Sequence, residues 1–370
     1  MKVGEDFDYP LLVATLILVG IGLMELFSAS AAYAYIYHKG DLYYFLKRQL
    51  LWLGPGFIFL WLASRFNYQK YQIISRFLPL FIIILLCAVF LPGIGKPTRG
   101  VHRLIGLGPI TFTPSEFTKL GLIIYLAFSL VRKKEKMQSY ISGSLPYFIT
   151  LGVISVLVMI EPDLGSALII AVLAFILLYA GGARISHLAY TVILALIPLS
   201  FSIFKIGYQK IRILGFLRPE LDPQGIGFHP RHLKISIGSG GLWGLGPGQG
   251  KEKLFYLPAP HTDSIFAVIG EELGFIGTSL IIALFFVVAL RGLRIARKAP
   301  DDLGKLLALG LTCLILVQAI VNMGVATVIL PTTGATLPFI SYGGSSLIVC
   351  LTAVGILLNI SKNRDLKNTD

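Results

Sequence analysis

Residues 257–277 read LPAPHTDSIFAVIGEELGFIG, a proline-broken loop that continues as an apolar helix. Asp263 lies where this helix enters the apolar run, and Glu271 and Glu272 follow about two turns further in. A carboxylate in hydrocarbon is costly unless it faces protein, water or a partner. We therefore predict that the chain surrounds Asp263 with a membrane-embedded, water-accessible site.

The composition indicates a polytopic membrane protein. The chain has 370 residues, of which 55% are hydrophobic and only 14% are charged, whereas about 25% are charged in a typical soluble domain. Charge-free apolar runs of membrane-spanning length recur along the sequence. The net charge of +13 is better explained by basic cytoplasmic loops and an anionic ligand than by nucleic acid, which we do not expect as a partner.

Apolar periodicity predicts an all-α fold with ten transmembrane helices in a single domain, residues 1–370. A large extracytoplasmic loop, 205–262, is expected between helices 7 and 8. The helices are predicted near 10–32, 45–63, 74–91, 115–132, 145–160, 164–182, 186–204, 264–290, 305–329 and 341–360.

The distribution of basic residues predicts the orientation. An even number of spans puts both termini on one side. With the termini inside, the inner segments carry 17 Lys and Arg residues and the short outer loops carry six. Because short cytoplasmic loops are enriched in Lys and Arg, both termini are predicted to be cytoplasmic, and Asp263 lies at the outer face.

Two polar motifs precede the large loop, and each has a structural and a functional interpretation. Thr113-Pro114-Ser115-Glu116 fits a capping box, but Glu116 also stands three residues before Lys119, the spacing of an ion pair lining a polar cavity. Both interpretations can hold together. Asp163 is favoured as the cap of the following helix.

The three acids of the opening stretch also have alternatives. Asp263 lies between two other good capping residues, so it could cap the helix rather than act in a site. A helix N-terminus favours its ionised form, whereas burial would raise its pKa. By helical rotation only Glu271 lies near the face of Asp263, and Glu272 is expected to pair within the bundle.

Two irregular segments frame this helix. Residues 238–253, which we call the glycine-rich segment, contain seven glycines between 238 and 250, followed by Lys251 and Lys253. This segment would suit a phosphate ligand, and a flexible surface loop is the alternative. Residues 331–346, PTTGATLPFISYGGSS, are a broken entry to the last helix and include Ser341 and Tyr342. Irregular backbone at membrane depth is tolerated where it lines a cavity, and an ordinary outer loop is the alternative.

Taken in order, TPSEFTKL, EPDLGSAL, LPAPHTDSIFAVIGEELGFIG and PTTGATLPFISYGGSS resemble the SEDS family (shape, elongation, division and sporulation) over nearly the whole chain. The resemblance implies a peptidoglycan glycosyltransferase of the inner membrane that polymerises lipid II. Asp263 corresponds to the essential aspartate of the family. Glu116, Lys119 and Asp163 match further motif positions. Departures from the family pattern are Leu104 after Arg103, Thr113, His229, His232 and Ser264.

The resemblance also implies partners. They are lipid II, the growing glycan strand, a class B penicillin-binding protein that acts as transpeptidase, and other membrane proteins of the divisome or elongasome. A lipid II flippase and a non-catalytic scaffold of the wall-synthesis complex are the alternative functions.

The chemistry of lipid II assigns candidate roles. Asp263 is the candidate general base for the acceptor hydroxyl. Glu116, Lys119, Asp163, Glu271, Ser341 and Tyr342 are expected to line the cavity and position the substrate. Arg99, Arg103, Arg212 and Lys251 are candidates for stabilising the diphosphate. A divalent cation, Mg²⁺ or Mn²⁺, could share that task, although no ligand cluster is visible in the sequence.

Overall fold

A computed structural model of the chain describes residues 7–98, 101–107, 110–205 and 207–362. Arg99, one of the candidate diphosphate ligands, lies outside the described residues. The α-helices are α1 (Tyr9–Tyr37), α2 (Tyr44–Arg65), α3 (Gln72–Ser75), α4 (Leu78–Ala88), α5 (Pro114–Arg132), α6 (Leu145–Ile160), α7 (Leu164–Ala180), α8 (Ile185–Lys205), α9 (Gly207–Leu217), α10 (Phe228–Gly240), α11 (Ile265–Lys298), α12 (Asp302–Ala326) and α13 (Gly344–Lys362).

Helical structure occupies each of the ten stretches predicted to be helical. The third differs from the prediction because it is broken, and its two parts, Tyr68–Ser75 and Leu78–Ala88, are bent by 67°. Among the described residues, six helices are long and apolar enough to cross a membrane, or seven if this bent pair counts as one span. The molecule is therefore a multi-pass membrane protein.

The helices pack around α13, which is the most buried of the candidate spans. Its sequence is apolar on almost all sides, which is the pattern of a helix enclosed by protein rather than one with a single buried face. It lies along α2 and also contacts α1, α5, α11 and α12. Because residues 331–343 lead directly into this central helix, the helix fixes their position within the bundle.

A small antiparallel sheet corrects the all-α prediction. Its strands β1 (Gly95–Thr98), β2 (Val101–Leu107) and β3 (Ile110–Phe112) lie between α4 and α5 in the order β1-β2-β3. β-branched residues are frequent in these short strands, and they favour extended backbone over helix. The sheet matters for the site because β2 carries Arg103.

The predicted outer loop, 205–262, contains two helices, α9 and α10. Helix α10 packs along the first turns of α11, where Ser236 Oγ donates a hydrogen bond to Ala267 O at 2.9 Å. Gly240 faces Gly270 so closely that a Cβ at position 240 would overlap the Gly270 carbonyl oxygen. The loop is thus a folded layer on α11 rather than a simple connection.

Helix α11 is broken at Gly274, whose φ of 64° is in the left-handed region. The free backbone groups at the break bond to residues 241–246 of the glycine-rich segment. Leu245 N donates to Glu271 O at 2.9 Å, and Phe275 N donates to Gly241 O at 2.9 Å. A side chain at Gly274 would overlap this segment, so the break requires glycine.

Candidate functional site

The predicted site residue Asp263 lines a cavity of about 810 Å³. The walls come from α2, β2, α5, the α6–α7 junction, the loop before α11 and the irregular segment 331–346. The lining residues are Arg48, Trp52, Arg103, Leu104, Thr111, Thr113, Glu116, Pro162, Asp163, Ser166, Thr262, Asp263, Gly334, Thr336, Tyr342, Gly343, Gly344, Ser345 and Ser346. Irregular backbone of the segment 331–346 lines the cavity, as predicted.

Hydrogen bonds fix the backbone around Asp263. Asn322 Nδ2, from α12, donates to Asp263 O at 3.1 Å and to Ala335 O at 2.7 Å. Ser341 Oγ donates to Thr262 O at 2.7 Å, and Tyr342 N donates to His261 O at 2.8 Å. The loop before α11 and the segment before α13 are therefore held together as one wall.

Asp263 is not the cap of α11. The N-cap is Ser264, and no side-chain cap bond forms there. Ser264 Oγ instead bonds Pro258 O at 3.0 Å and lies 3.0 Å from His229 Nε2. Burial lowers the pKa of His229 to about 4, with Arg212 adding to the effect. His229 is thus a neutral neighbour of the site at physiological pH.

The Asp263 carboxyl is partly accessible from the cavity and otherwise enclosed by protein. Burial raises its pKa, and the charge of Asp163 adds to that increase. A hydrogen bond with Thr262 and the charges of Arg212 and Arg103 act in the opposite direction. Burial is the largest of these effects, so this carboxyl is more basic than an ordinary aspartate.

Arg103 reaches the site from β2. Its guanidinium donates to two main-chain carbonyl oxygens at the α6–α7 junction, Glu161 O at 2.9 Å and Pro162 O. A Cβ at Gly334 would lie 3.6 Å from Asp263 Oδ2 and 3.9 Å from Arg103 Nη1. The carboxylate and the guanidinium thus both lie beside Gly334, where the φ of 82° favours glycine.

Two other candidate diphosphate ligands occupy different places. Arg212 does not line the cavity, but its charge acts on Asp263 and its Nη1 donates to Thr332 O at 3.2 Å. Lys251 is exposed and lies away from the cavity. Arg103 and Arg212 are therefore the two described candidates near Asp263.

The predicted ion pair between Glu116 and Lys119 forms within the first turns of α5, with 2.7 Å between Oε1 and Nζ. Glu116 lines the cavity, and Lys119 is buried behind it. The predicted capping box does not form. Thr113 makes no side-chain cap bond, and its N–H donates to Ser345 Oγ at 2.9 Å. The Thr113 N–H that the box requires is thus bonded to Ser345, while Glu116 uses Oε1 for Lys119.

Asp163 combines the two roles considered for it. Its Oδ1 accepts from Ser166 N at 3.1 Å, which is the predicted N-cap of α7. Its Oδ2 accepts from Ser115 Oγ at 3.3 Å, and the residue lines the cavity. The cap therefore fixes a carboxylate that also contributes to the electrostatics of Asp263.

Glu271 and Glu272 lie outside the cavity lining and bind the glycine-rich segment instead. Glu271 Oε1 accepts from Lys251 N at 2.7 Å and from Glu252 N at 3.2 Å. Glu272 was expected to pair within the bundle, but its ion pair at 2.6 Å is with Lys253 of the folded loop. Ser28 of α1 donates a further hydrogen bond to it at 2.8 Å. Helical rotation places Glu271 near the face of Asp263 on a continuous helix. It did not predict the partners of Glu271, which come from the folded loop.

Several polar groups in the cavity lining or buried behind it were not selected from the sequence. Gln318 Oε1 accepts from Lys119 Nζ at 3.1 Å, and its Nε2 donates to Thr336 Oγ1 and Ser346 Oγ. Arg48 and Trp52 line the cavity from α2. Gln318 and Asn322 are amides in an apolar span, and that alone could have marked them as functional.

The donor set does not fit a resident metal ion. Within the described ranges, no group of three or more His, Cys, Asp or Glu side chains could hold one. Asp163 and Asp263 approach each other closely enough to interact electrostatically, but their partners are hydrogen-bond donors and arginines. The described side chains therefore do not form a metal site by themselves.

A protein-family model described as "Cell cycle protein", that of FtsW, RodA and SpoVE, matches residues 9–366. The chain belongs to this family. The match covers every element that lines the cavity, and the SEDS resemblance carried by the four motifs is confirmed.

Individual family members match along nearly their full length. A probable peptidoglycan glycosyltransferase FtsW of Trichlorobacter lovleyi is 42% identical, over 96% of this chain and 93% of that protein. Another, from Geobacter sulfurreducens, is 42% identical over 98% and 96%. Stage V sporulation protein E of Bacillus subtilis is 40% identical over 96% and 97%.

Solved structures share the fold of this SEDS protein. A chain from a study of how a peptidoglycan synthase complex coordinates polymerization and crosslinking superimposes with a TM-score of 0.80 at 28% identity, covering 97% of this chain and 99% of that one. The crystal structure of the Thermus thermophilus rod shape determining protein RodA gives 0.68 at 26% identity, covering 97% of each chain.

Proposed function

We propose that this SEDS protein is a peptidoglycan glycosyltransferase that polymerises lipid II at the outer face of the cytoplasmic membrane. The observation that carries the proposal is the placement of Asp263 and Arg103 beside Gly334, both of them lining one cavity within the helical bundle. A base and a cation directed at one space are what transfer of a sugar from a diphosphate requires. The named relatives support the same reaction.

The proposed step is a displacement at the anomeric carbon of the donor sugar. Asp263 takes the proton of the acceptor 4-hydroxyl while the oxygen of that hydroxyl forms a bond to the anomeric carbon. The bond from the carbon to the diphosphate oxygen breaks, and the polyprenyl diphosphate leaves with the electron pair. The raised pKa of Asp263 makes it a stronger base at the moment of transfer.

Arginines would balance the negative charge of the leaving diphosphate. Arg48 and Arg103 line the cavity, and Arg212 is close enough to act on Asp263. Fixed cations of this kind stabilise developing charge without reorganisation during the reaction. Arg99 and Lys251 remain candidates by sequence only. Glu116, Lys119, Asp163, Ser341 and Tyr342 would shape the cavity, and Glu271 would act through the glycine-rich segment.

The proposed topology has ten spans in one domain, cytoplasmic termini and an extracytoplasmic segment 205–262. The excess of Lys and Arg on the inner segments supports this orientation. It puts the mouth of the Asp263 site on the side where cell-wall strands are assembled.

We propose a class B penicillin-binding protein as the crosslinking partner of this polymerase. Support comes from the similar chain in a peptidoglycan synthase complex, where polymerization and crosslinking are coordinated. Lipid II and the growing glycan strand are the substrates of the proposal. Other divisome or elongasome membrane proteins are further partners that the family membership suggests.

Purified protein with its transpeptidase partner, given lipid II in liposomes, tests the proposal. Asp263→Asn keeps the shape of the side chain but removes its basicity, and we expect loss of polymer at unchanged melting temperature. Asp222→Asn is the matched control, because Asp222 is an exposed carboxylate of the same outer segment. Full polymerisation by a folded Asp263→Asn variant contradicts the assignment.

The same liposomes distinguish the alternatives. Headgroup crossing without polymer would support a lipid II flippase, and neither activity would support a scaffold. The flippase alternative is supported by the buried hydrogen-bonded chain Glu116–Lys119–Gln318 beside the cavity, because charged groups within a membrane often mark a transport pathway.

A further inference from the structure

The turn after α10 exposes an unusual amount of apolar surface. Leu242, Trp243 and Leu245 are 64%, 81% and 40% exposed, and we call these three side chains the apolar tip. They project from a segment whose own backbone is well fixed. Isolated exposed apolar residues are ordinary, but a cluster that includes a nearly bare Trp indicates a surface that another phase or molecule covers.

Backbone hydrogen bonds hold the apolar tip at one level of α11. Ile276 N donates to Leu242 O at 3.2 Å, and Phe275 N donates to the preceding carbonyl, Gly241 O, at 2.9 Å. On the other side of the break, Leu245 N donates to Glu271 O at 2.9 Å. The tip therefore lies beside Phe275 and Ile276 and cannot move independently of the helix.

The level of the break within the membrane follows from the length of α11. Residues 275–290 are uncharged, and Arg291 then pairs with Asp8 at the start of α1. Sixteen helical residues span about 24 Å at 1.5 Å each, whereas the hydrocarbon core is about 30 Å thick. Measured from Arg291, the uncharged helix up to the break covers most of this thickness, so Phe275 lies near the opposite boundary.

The side chains around the break divide at this level. Phe275 and Ile276 are 64% and 48% exposed, continuous with the exposed apolar face of the span. On the far side of the break, Lys251 is exposed, whereas Glu272 and Lys253 form a buried ion pair. Exposed apolar surface thus continues from the span up to the break, the position at which an element seated at a membrane interface begins.

We propose that the apolar tip is a membrane anchor that inserts Trp243 into the interfacial layer of the bilayer beside α11. The occupant of this surface is lipid, because the tip continues a face that lipid already covers. Trp is the side chain that favours this layer, since its ring is apolar and its N–H can reach water or a headgroup. The glycine-rich segment is thereby fixed both to the helix and to the membrane.

The emission of Trp243 tests this inference without reference to activity. The chain has three tryptophans, so the difference between the unaltered protein and Trp243→Phe isolates one. The proteins are reconstituted in phosphatidylcholine–phosphatidylglycerol vesicles with acyl chains brominated near the glycerol. We expect the lipid bromine to remove most of the Trp243 emission and aqueous iodide to remove little.

The other two tryptophans calibrate the measurement. Trp61 is 54% exposed in the apolar span α2 and serves as the lipid-facing standard. Trp52 lines the cavity and serves as the standard for a site away from lipid. A double variant, Trp52→Phe with Trp61→Phe, leaves Trp243 as the sole reporter and checks the subtraction.

Two results would overturn the inference. Quenching of Trp243 by iodide but not by brominated lipid would put the tip in water. Protection from both quenchers would mean that protein covers it, and a membrane anchor would again be excluded.

Discussion

Lys119 Nζ lies 2.7 Å from Glu116 Oε1 and 3.1 Å from Gln318 Oε1, and its side chain is 1% exposed. The ammonium is therefore neutralised within α5 and anchored to α12 at the same time. Gln318 Nε2 in turn donates hydrogen bonds to Thr336 and Ser346. A buried charge that is paired and hydrogen-bonded in this way holds three elements of the cavity wall together.

Removing one partner of this pair is expected to destabilise the fold strongly. Lys119→Met leaves the Glu116 carboxylate buried without a counter-charge, a loss of about 3–5 kcal/mol by analogy with other buried pairs. The double variant Lys119→Met with Glu116→Gln removes both charges and should recover much of the loss. Thermal unfolding in detergent measures both.

The exposed pair of Lys47 and Asp41 provides the control. Lys47→Met should change the melting temperature little, because water already solvates that pair. Equal effects of Lys47→Met and Lys119→Met would contradict the importance of burial.

The Glu116–Lys119 pair could be predicted because both residues lie on one helix, where a separation of three positions decides their contact. The Asp163 cap could be predicted for the same reason, since Ser166 follows three residues later. The four motifs that mark Asp263 likewise lie in the chain as continuous stretches. Local spacing thus carried most of the site prediction.

The parts that could not be predicted depend on contacts between distant segments. Arg103 bonds the carbonyl of Glu161 only because an unpredicted strand aims it there. Glu271 bonds the backbone of Lys251 because α11 breaks at Gly274 against a loop that folds back on it. Periodicity describes one element at a time and contains no information on such crossings.

The pH dependence of polymerisation should move in opposite directions in two variants. As a general base Asp263 must be ionised, so its raised pKa sets an acid limb above the usual range of aspartate. Arg212→Gln removes a charge that lowers this pKa and should shift the limb to higher pH. Asp163→Asn removes a charge that raises it and should shift the limb to lower pH.

Initial rates of lipid II polymerisation, measured across the acid pH range at saturating substrate, give the acid limb of each variant. The amide oxygen that Asp163→Asn introduces can still accept the cap bond from Ser166 N, so the fold of this variant should be retained. Shifts of the same sign in the two variants would show that the limb belongs to a group other than Asp263.

Stability should depend on pH through Glu161, which is fully buried. Neither of its carboxyl oxygens has a hydrogen-bond partner in the described part of the chain. Burial, with the charge of Asp163, raises the pKa of Glu161 from 4.5 to about 8. As the pH rises, the unfolded chain therefore loses this proton at a lower pH than the folded protein does. Between these two pKa values the free energy of unfolding falls by about 1.4 kcal/mol per pH unit.

Glu161→Gln abolishes that titration. The variant should match the unaltered protein below pH 4.5, where the group is largely neutral in both states, and exceed it increasingly toward pH 8. Melting temperatures in one detergent over this range decide the point, and parallel curves would show that Glu161 is ionised in the folded protein.

The ion pair of Lys253 and Glu272 should govern the order of the glycine-rich segment. Lys253 Nζ donates to Glu272 Oε1 at 2.6 Å, to Ser28 Oγ at 2.7 Å and to Gly248 O at 2.9 Å. Lys253→Met leaves the buried carboxylate of Glu272 uncompensated, which is expected to cost about 3–5 kcal/mol. Because the segment is held through this lysine, its amides over residues 244–253 should exchange with deuterium faster.

Lys251 is the matched control, since it belongs to the same segment but is exposed and contributes only its backbone N–H to Glu271. Lys251→Met removes an equal charge and should leave both melting temperature and exchange unchanged. Hydrogen–deuterium exchange read by mass spectrometry on the two variants isolates the buried bond from the loss of charge. Equal acceleration in both would mean that general electrostatics, and not the bonds of Lys253, order the segment.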